Sequence, residues 1–151
     1  MITLMRTNSD NKDFIALVKL LDAELAELDG DEHVFYAQLN KTDKIKHVIL
    51  AYENDKPISC GAIREYSPTS TEVKRMYTVR QSRGKGIATK VLIALEKWAS
   101  ELSYKKCILE TGWRQPDAIR LYEKNGYKRI PNYGKYAGIA NSVCFEKEIP
   151  V

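Results

Sequence analysis

Two long stretches of the chain repeat their hydrophobic residues every three or four positions, which is the period of an amphipathic helix. The first follows Asp10, a residue type that caps helices, and ends at Gly30. The second covers residues 84–102, and its apolar side consists of Ile87, Val91, Leu92, Leu95, Trp98 and Leu102. The spacing therefore predicts two amphipathic helices, each with one face against a core.

Shorter apolar runs between these helices have the composition of strands. Residues 47–66 form two such runs around the turn-forming residues 54–57, which predicts a β-hairpin. Residues 71–79 and 106–111 flank the second helix, and this strand–helix–strand order favours a parallel pair. Residues 31–45 show no clean period, so a short helix and an irregular arm both stay open.

The remaining segments complete a mixed pattern of strands and helices. Residues 2–6 have the character of a first strand, residues 142–149 alternate as a last strand, and Pro116 is suited to the first turn of a third helix. These elements predict a mixed α/β fold with a largely antiparallel sheet, in a single domain over residues 1–151.

Composition and charge narrow the classes of function. The 151-residue chain is 44% apolar and 29% charged, as globular domains are. Its 24 basic and 20 acidic side chains leave a net charge of +4, too small and too dispersed to predict a nucleic-acid partner. No apolar run reaches the roughly 18 residues of a membrane span, and the N-terminus lacks a signal-peptide pattern. We therefore expect a cytoplasmic protein without a membrane partner.

The cysteines and histidines do not have the spacing of a metal site. Cys60, Cys107 and Cys144 lie far apart in strand-like runs, which favours buried, reduced thiols over disulfides. The two histidines add no ligand spacing. No metal is expected.

Two glycines stand between a predicted strand and the second predicted helix. Gly84 and Gly86 would let an anion approach the free amides of the helix start, and Arg83 and Lys85 flank them. The segment lacks the ending of a P-loop and the third glycine of a dinucleotide motif. An anion site and a plain glycine-rich turn with two solvated cations both stay open.

Two motifs together give this loop a family resemblance. Gln81-x-x-Gly84-x-Gly86 after a strand resembles the acyl-CoA signature of the GNAT superfamily of N-acetyltransferases, and "AIRLYEKNGY" (118–127) resembles a downstream segment of that superfamily. The order of elements is similar over nearly the whole chain, and the C-terminal part is similar to a bacterial subgroup of small members. Arg80 and Gln115 depart from the family, in which proline and asparagine are common at these positions.

The resemblance implies a cofactor, a fold and a reaction. The fold would be that of an acyl-CoA N-acyltransferase, with its sheet splayed between strands 71–79 and 106–111. Acetyl-CoA would be the cosubstrate, its pantetheine arm pairing with the backbone of Tyr77, Thr78 and Val79. Its pyrophosphate would lie on the amides at the helix start, namely those of Arg83, Gly84, Lys85, Gly86, Ile87 and Ala88. A primary amine would attack the thioester directly in a ternary complex.

The resemblance also names a proton donor and an oxyanion donor. Tyr122 would protonate the departing CoA sulfur, and the backbone N–H near Thr78 would stabilise the oxyanion. The alternative for Tyr122 is a core tyrosine on an amphipathic helix. A non-catalytic acyl-CoA-binding or regulatory domain is the alternative function, and such a domain has no need of a phenol at the sulfur.

Two carboxylates are candidates for the general base. Glu72 precedes Thr78 by six residues, a spacing similar to that of the glutamate base in some family members. The alternative is a solvated glutamate at a strand end, paired with a nearby Lys or Arg. Glu110 is the second candidate, either as the base or as the group that binds a cationic part of the substrate.

The acceptor is not specified by the sequence. Tyr36 and Tyr133 lie in aromatic-rich segments of the kind that shape pockets in loops, although both segments are equally consistent with ordinary surface aromatics. A small amine, an amino acid and a protein amino group all stay open as acceptors. A monomer and a homodimer stay open as well.

Overall fold

The computed structural model describes residues 1–29 and 44–150, and within these ranges it contains seven strands and three helices. The strands are β1 (Ile2–Thr7), β2 (His47–Glu53), β3 (Lys56–Ser67), β4 (Ser70–Thr78), β5 (Lys106–Gly112), β6 (Lys128–Ile130) and β7 (Ser142–Glu148). The helices are α1 (Lys12–Asp29), α2 (Ile87–Glu101) and α3 (Pro116–Lys124). The mixed α/β fold is confirmed. Gly30 and most of the segment 31–45 lie outside the described residues.

The strands form one sheet in the order β1-β2-β3-β4-β5-β7-β6, and among the described residues only the β4–β5 pair is parallel. That pair is short: Ser70, Thr71 and Glu72 lie opposite Lys106, Cys107 and Ile108. Just beyond it, the register between β3 and β4 shifts and Arg75 has a φ of +59°, which marks a β-bulge that bends β4. The predicted splay between these strands is therefore confirmed.

Helix α2 packs its predicted apolar side against the sheet. Val91, Leu92 and Leu95 are fully buried. The predicted start at residue 84 is wrong, because the chain up to Gly86 has a non-helical backbone and α2 begins at Ile87. The prediction treated the glycines as part of the helix, whereas they form the loop that leads into it.

Helix α1 lies against the other side of the hairpin strands and β4. Its cap is Asn11 rather than Asp10, because the Asn11 Oδ1 accepts the amides of Asp13 and Phe14 at 2.8 and 3.3 Å. Phe14 and Leu17 bury the helix against the core. The first predicted helix is confirmed with this shift of its start.

Two smaller features complete the fold. The three cysteines are free and buried, as expected. Strand β6 was not predicted, because its three residues contain one apolar side chain and offer no alternation to detect.

Candidate active site

A cleft of about 1200 Å³ opens where β4 and β5 diverge. Its walls come from the second half of β4, the end of β5, one side of α1 and helix α3. One end is formed by residues 82–89 and is called here the glycine-loop end. The other end, called here the splay end, contains Lys74 of β4, Glu110 of β5 and Tyr122 of α3.

The glycine-loop end presents backbone amides without a side chain over them. Gly84 and Gly86 both have a φ of +78°, and a Cβ on either would enter open space. Gly86 caps α2 without a side-chain hydrogen bond, and the Lys90 amide is the first to bond within the helix, to the Gly86 carbonyl. The amides of residues 87–89 therefore have no helical partner, which makes this end suited to an anion.

The Arg83 amide is not part of that set. It donates to the Arg80 carbonyl at 3.3 Å in the short 3-10 turn before the loop. The free amides of this loop therefore begin after Arg83. The placement of a pyrophosphate on residues 83–88 stays a prediction. Lys85 is exposed between the two glycines and is not among the residues that line the cleft.

The basic residues of the loop are engaged by acidic residues of α1. The Arg83 guanidinium donates to Glu24 at 2.7 Å and to the Thr78 carbonyl at 2.8 Å, and Arg80 donates to Glu24 at 2.9 Å and to Glu27 at 3.2 Å. Burial disfavours the charged Glu24, but hydrogen bonds from Arg83 and Arg80 outweigh it and lower the pKa of this carboxyl. Arg83 lines the cleft as a paired cation rather than a free one.

The backbone of β4 faces the cleft at Thr78. The Tyr77 carbonyl accepts the Ser59 hydroxyl of β3 at 2.8 Å, and the Val79 amide donates to the Ile58 carbonyl at 2.9 Å. Successive strand residues direct their backbone groups to opposite sides, so the Thr78 amide points away from β3, toward the splay. Pairing of the pantetheine arm with the backbone of Tyr77, Thr78 and Val79 stays a prediction, in which the Val79 amide has no part because β3 already binds it. Tyr77 lines the cleft with its side chain.

Tyr122 combines a packed ring with a hydroxyl at the cleft. It is 6% exposed, and its ring makes an edge contact with Tyr127 at 5.7 Å between centroids and a tilted contact with Phe145. Its hydroxyl has no hydrogen-bond partner among residues 1–29 and 44–150. Burial and the nearby charge of Glu110 raise the pKa of the phenol, which keeps it protonated. The residue is thus a core tyrosine that also offers a proton to the cleft.

Glu72 is buried behind the cleft and held by three side chains. The Tyr133 hydroxyl donates to its Oε2 at 2.6 Å, and Arg64 and Lys74 each place a nitrogen 3.6 Å from its Oε1. The expected alternative of a solvated glutamate is wrong, since Glu72 is 4% exposed, although its pairing with Lys and Arg is present. Glu72 is not among the residues that line the cleft.

Glu110 does line the cleft, beside Thr111 and Gly112. The Ser142 hydroxyl of β7 donates to its Oε2 at 2.7 Å and fixes the direction of the carboxylate. Glu110 and Tyr122 both line the cleft, and the charge of Glu110 raises the pKa of Tyr122. Of the two predicted carboxylates, Glu110 is the one with access to a bound ligand.

Of the two predicted aromatic residues, Tyr36 and Tyr133, the structure describes Tyr133. Tyr133 packs edge-on between Tyr66 and Tyr136, at 5.1 and 5.6 Å, and its hydroxyl binds Glu72 rather than the cleft. Burial and the charge of Glu72 raise the pKa of the Tyr133 phenol, so it remains a donor. Tyr36 lies outside the described residues.

Lys74 is the cleft residue that sequence reasoning missed. It lines the splay end with a side chain that is 5% exposed. The alternation along β4 contained the signal, because Lys74 lies two residues after Glu72 and therefore shares its face of the strand.

Neither a metal-binding cluster nor a membrane-spanning helix is found among the described residues. No group of three or more His, Cys, Asp or Glu residues there is arranged to hold a metal ion. No helix of the described ranges has both the length and the apolar character needed to cross a membrane.

Comparisons with known proteins agree on one family. The profile of the Acetyltransferase (GNAT) family matches residues 14–127. An uncharacterised N-acetyltransferase of Bacillus subtilis, YsnE, is 32% identical over 101 residues, which are 66% of this chain and 67% of that protein. A Klebsiella pneumoniae structure described as an acyl-CoA N-acyltransferase has a TM-score of 0.83 at 30% identity, over 99% of this chain and 98% of the other. An Elizabethkingia anophelis GNAT acetyltransferase with acetyl-CoA bound shares the fold, with a TM-score of 0.69 at 17% identity over 98% of both chains.

Proposed function

This chain belongs to the GNAT family of acetyltransferases, which use acetyl-CoA as acyl donor, and we propose that it acetylates a primary amine by direct attack within the cleft. Both substrates would be bound at once, acetyl-CoA along the glycine-loop end and the amine at the splay end. The family and its named N-acetyltransferase relatives favour an enzyme over a non-catalytic acyl-CoA-binding domain. A cytoplasmic location, a single domain and the choice between monomer and homodimer remain predictions.

The residues of the glycine-loop end fit the phosphates of CoA. The uncapped amides after Arg83 lie at the positive end of the α2 dipole, and the bare Cα atoms of Gly84 and Gly86 leave room for an anion. When bound, acetyl-CoA supplies the activated acetyl group. The Thr78 amide, which faces the splay, is the proposed donor to the carbonyl oxygen of that group.

Tyr122 is the single observation that carries the proposal. It lines the cleft, its hydroxyl has no protein partner in the described chain, and burial keeps it protonated. The amine nitrogen forms a bond to the acetyl carbon as the carbon–sulfur bond breaks. The thiolate sulfur then takes the Tyr122 proton.

Glu110 is the proposed acceptor of the amine proton. It lines the cleft and is oriented by Ser142, whereas Glu72 is buried behind Lys74 and Tyr133. For a neutral amine, Glu110 gains a proton from the amine and Tyr122 gives one to sulfur. The proton balance closes when Glu110 passes its proton to the Tyr122 phenolate, which restores both residues. Glu72 is better suited to holding Lys74 and Tyr133 in place.

A thiol-release assay with acetyl-CoA and a panel of amines tests the proposal, with mass spectrometry to identify an N-acetylated product. We expect thiol release that depends on the amine and a product acetylated on nitrogen. A calorimetric titration with CoA accompanies the assay. CoA binding without acetyl transfer to any amine would favour the non-catalytic domain instead.

A further inference from the structure

Lys74 is a nearly buried cation whose hydrogen-bonding capacity is unused. Its side chain is 5% exposed, and its one ion-pair partner among residues 1–29 and 44–150 is Glu72, at 3.6 Å. That distance is longer than a hydrogen bond, so the three N–H donors of the ammonium have no acceptor in the described chain. The Nζ atom is not sealed from solvent, and the residue lines the cleft. Its N–H donors are therefore available to a ligand in the cleft.

More cations than carboxylates act on Lys74, and one of these cations, Arg75, is itself paired with Asp22 at 2.9 Å. Glu72 and Glu110 are the carboxylates that act here, and the cations are Lys74, Arg64, Arg75 and Lys135. Burial lowers the pKa of Lys74, Glu72 opposes this shift, and the neighbouring cations lower the pKa further. Burial removes water from the ammonium and so disfavours its charge. An anion bound at Nζ would stabilise that charge again.

Lys74 lies opposite Glu110 across the splay. The last parallel pair is Glu72 with Ile108, so Lys74 and Glu110 each lie two residues further along their strands. Side chains two residues apart share a face of a strand, and paired residues point to the same side of a sheet. A cation on β4 and a carboxylate on β5 thus project to the same side of the sheet, one on each side of the gap where the strands cease to pair.

We propose that the acceptor is an amine that also carries a carboxylate, as an amino acid does, with the carboxylate bound by Lys74 and the amine directed to Glu110. This inference rests on the proposed function, because it assigns the acceptor of that same reaction. Lys74 acts as a specificity residue: it binds a part of the acceptor that does not react. A protein lysine or a simple amine lacks the group that Lys74 would bind.

Matched pairs of acceptors test this with the unaltered protein. Each of several amino acids is compared with its own amide, which has nearly the same size but no carboxylate charge. We expect kcat/KM to be about 10- to 100-fold higher for the acids, the range of a hydrogen bond between charged groups. It is calculated on the concentration of neutral amine, because conversion to the amide also lowers the pKa of the amine. The difference should appear in KM rather than in kcat. Equal kcat/KM values for acids and amides would overturn the inference.

Variants of Lys74 add a second test. Lys74→Met should raise KM for the acids far more than for the amides, until the two match, and Lys74→Arg should keep the preference. Lys97→Met removes an exposed lysine of α2 and should leave the preference as in the parent. An acid preference that persists in folded Lys74→Met would overturn the role of Lys74. If that variant does not fold, the acid–amide comparison in the parent decides.

The two proposals fail in different ways. Calorimetric titration of the CoA-saturated protein with the same pairs measures acceptor binding without turnover. Tighter binding of acids without acetyl transfer would refute the proposed function and support the carboxylate site. Efficient acetylation of acids and amides alike would support the proposed function and refute the carboxylate site.

Discussion

The two ends of the cleft are built in different ways. The glycine-loop end consists of consecutive residues and offers backbone amides, so the main chain itself forms the anion site. The splay end brings together side chains of Lys74, Glu110 and Tyr122, which come from two strands and a helix. The first end is a property of a local motif, and the second is a property of the sheet topology. We expect the first to govern binding of acetyl-CoA and the second to govern turnover and acceptor choice.

The largest expected effect is at Tyr122. Tyr122→Phe removes one hydroxyl and should lower kcat by about 10²- to 10⁴-fold, the range for general acid catalysis, with little change in acetyl-CoA binding. Tyr104→Phe is the matched control, because its hydroxyl binds Glu65 and Tyr104 does not line the cleft. Steady-state rates and calorimetry measure the two quantities. Normal turnover in Tyr122→Phe would remove the proposed acid.

The next effect separates the two carboxylates. Glu110→Gln should lower kcat/KM by about 10²-fold below the pKa of the acceptor amine, because a protonated amine must lose its proton to react. The loss should shrink as the pH rises and the amine becomes neutral unaided. Glu72→Gln should alter stability more than the pH–rate profile, since its carboxylate is bound by Tyr133, Arg64 and Lys74. A pH-dependent loss of kcat/KM in Glu72→Gln, with an unchanged pH–rate profile in Glu110→Gln, would make Glu72 the base.

A smaller effect is expected at the glycine loop. Gly84→Val places a branched side chain at a φ of +78° and over the anion site, and should weaken CoA binding about tenfold or more. Gly138→Val is the matched control, with a φ of +79°, equally open space and a position outside the cleft lining. Both should lose similar stability in chemical denaturation. Equal CoA affinity in folded Gly84→Val and in the parent would contradict the assignment of the loop.

The smallest effect concerns the ion pairs of Glu24. Glu24→Gln frees Arg83 and Arg80 from a carboxylate and should strengthen CoA binding by about two- to fivefold, the scale of partly exposed ion pairs. The gain should fade as salt rises, because the phosphate contacts are screened. Glu101→Gln is the matched control, since it breaks the Arg6 pair on the surface. Weaker CoA binding in Glu24→Gln would show that Glu24 positions Arg83 productively.

Sequence reasoning reached the glycine-loop end more completely than the splay end. Gly84, Gly86 and the helix start are neighbours in the chain, so their spacing predicted an anion site as one of two open alternatives, and the family resemblance then favoured it. The sequence could not show that Glu24 of α1 binds Arg83, because these two residues come together only in the folded chain.

At the splay end the order of elements predicted the divergence of β4 and β5 but not its contents. Glu72 was the first candidate for the base and Glu110 the second, and only the folded structure separates a buried carboxylate held by Tyr133 from one that lines the cleft. Lys74 was missed because a lysine in a strand is normally solvated, and its burial depends on surrounding side chains from several elements.

The most direct test is the rate as a function of acetyl-CoA concentration, measured side by side for Gly84→Val and Tyr122→Phe at a saturating acceptor. Gly84→Val should raise the KM for acetyl-CoA and leave kcat near that of the parent. Tyr122→Phe should lower kcat and leave that KM nearly unchanged. Parallel changes of both parameters in both variants would contradict the division of the cleft into a binding end and a reacting end.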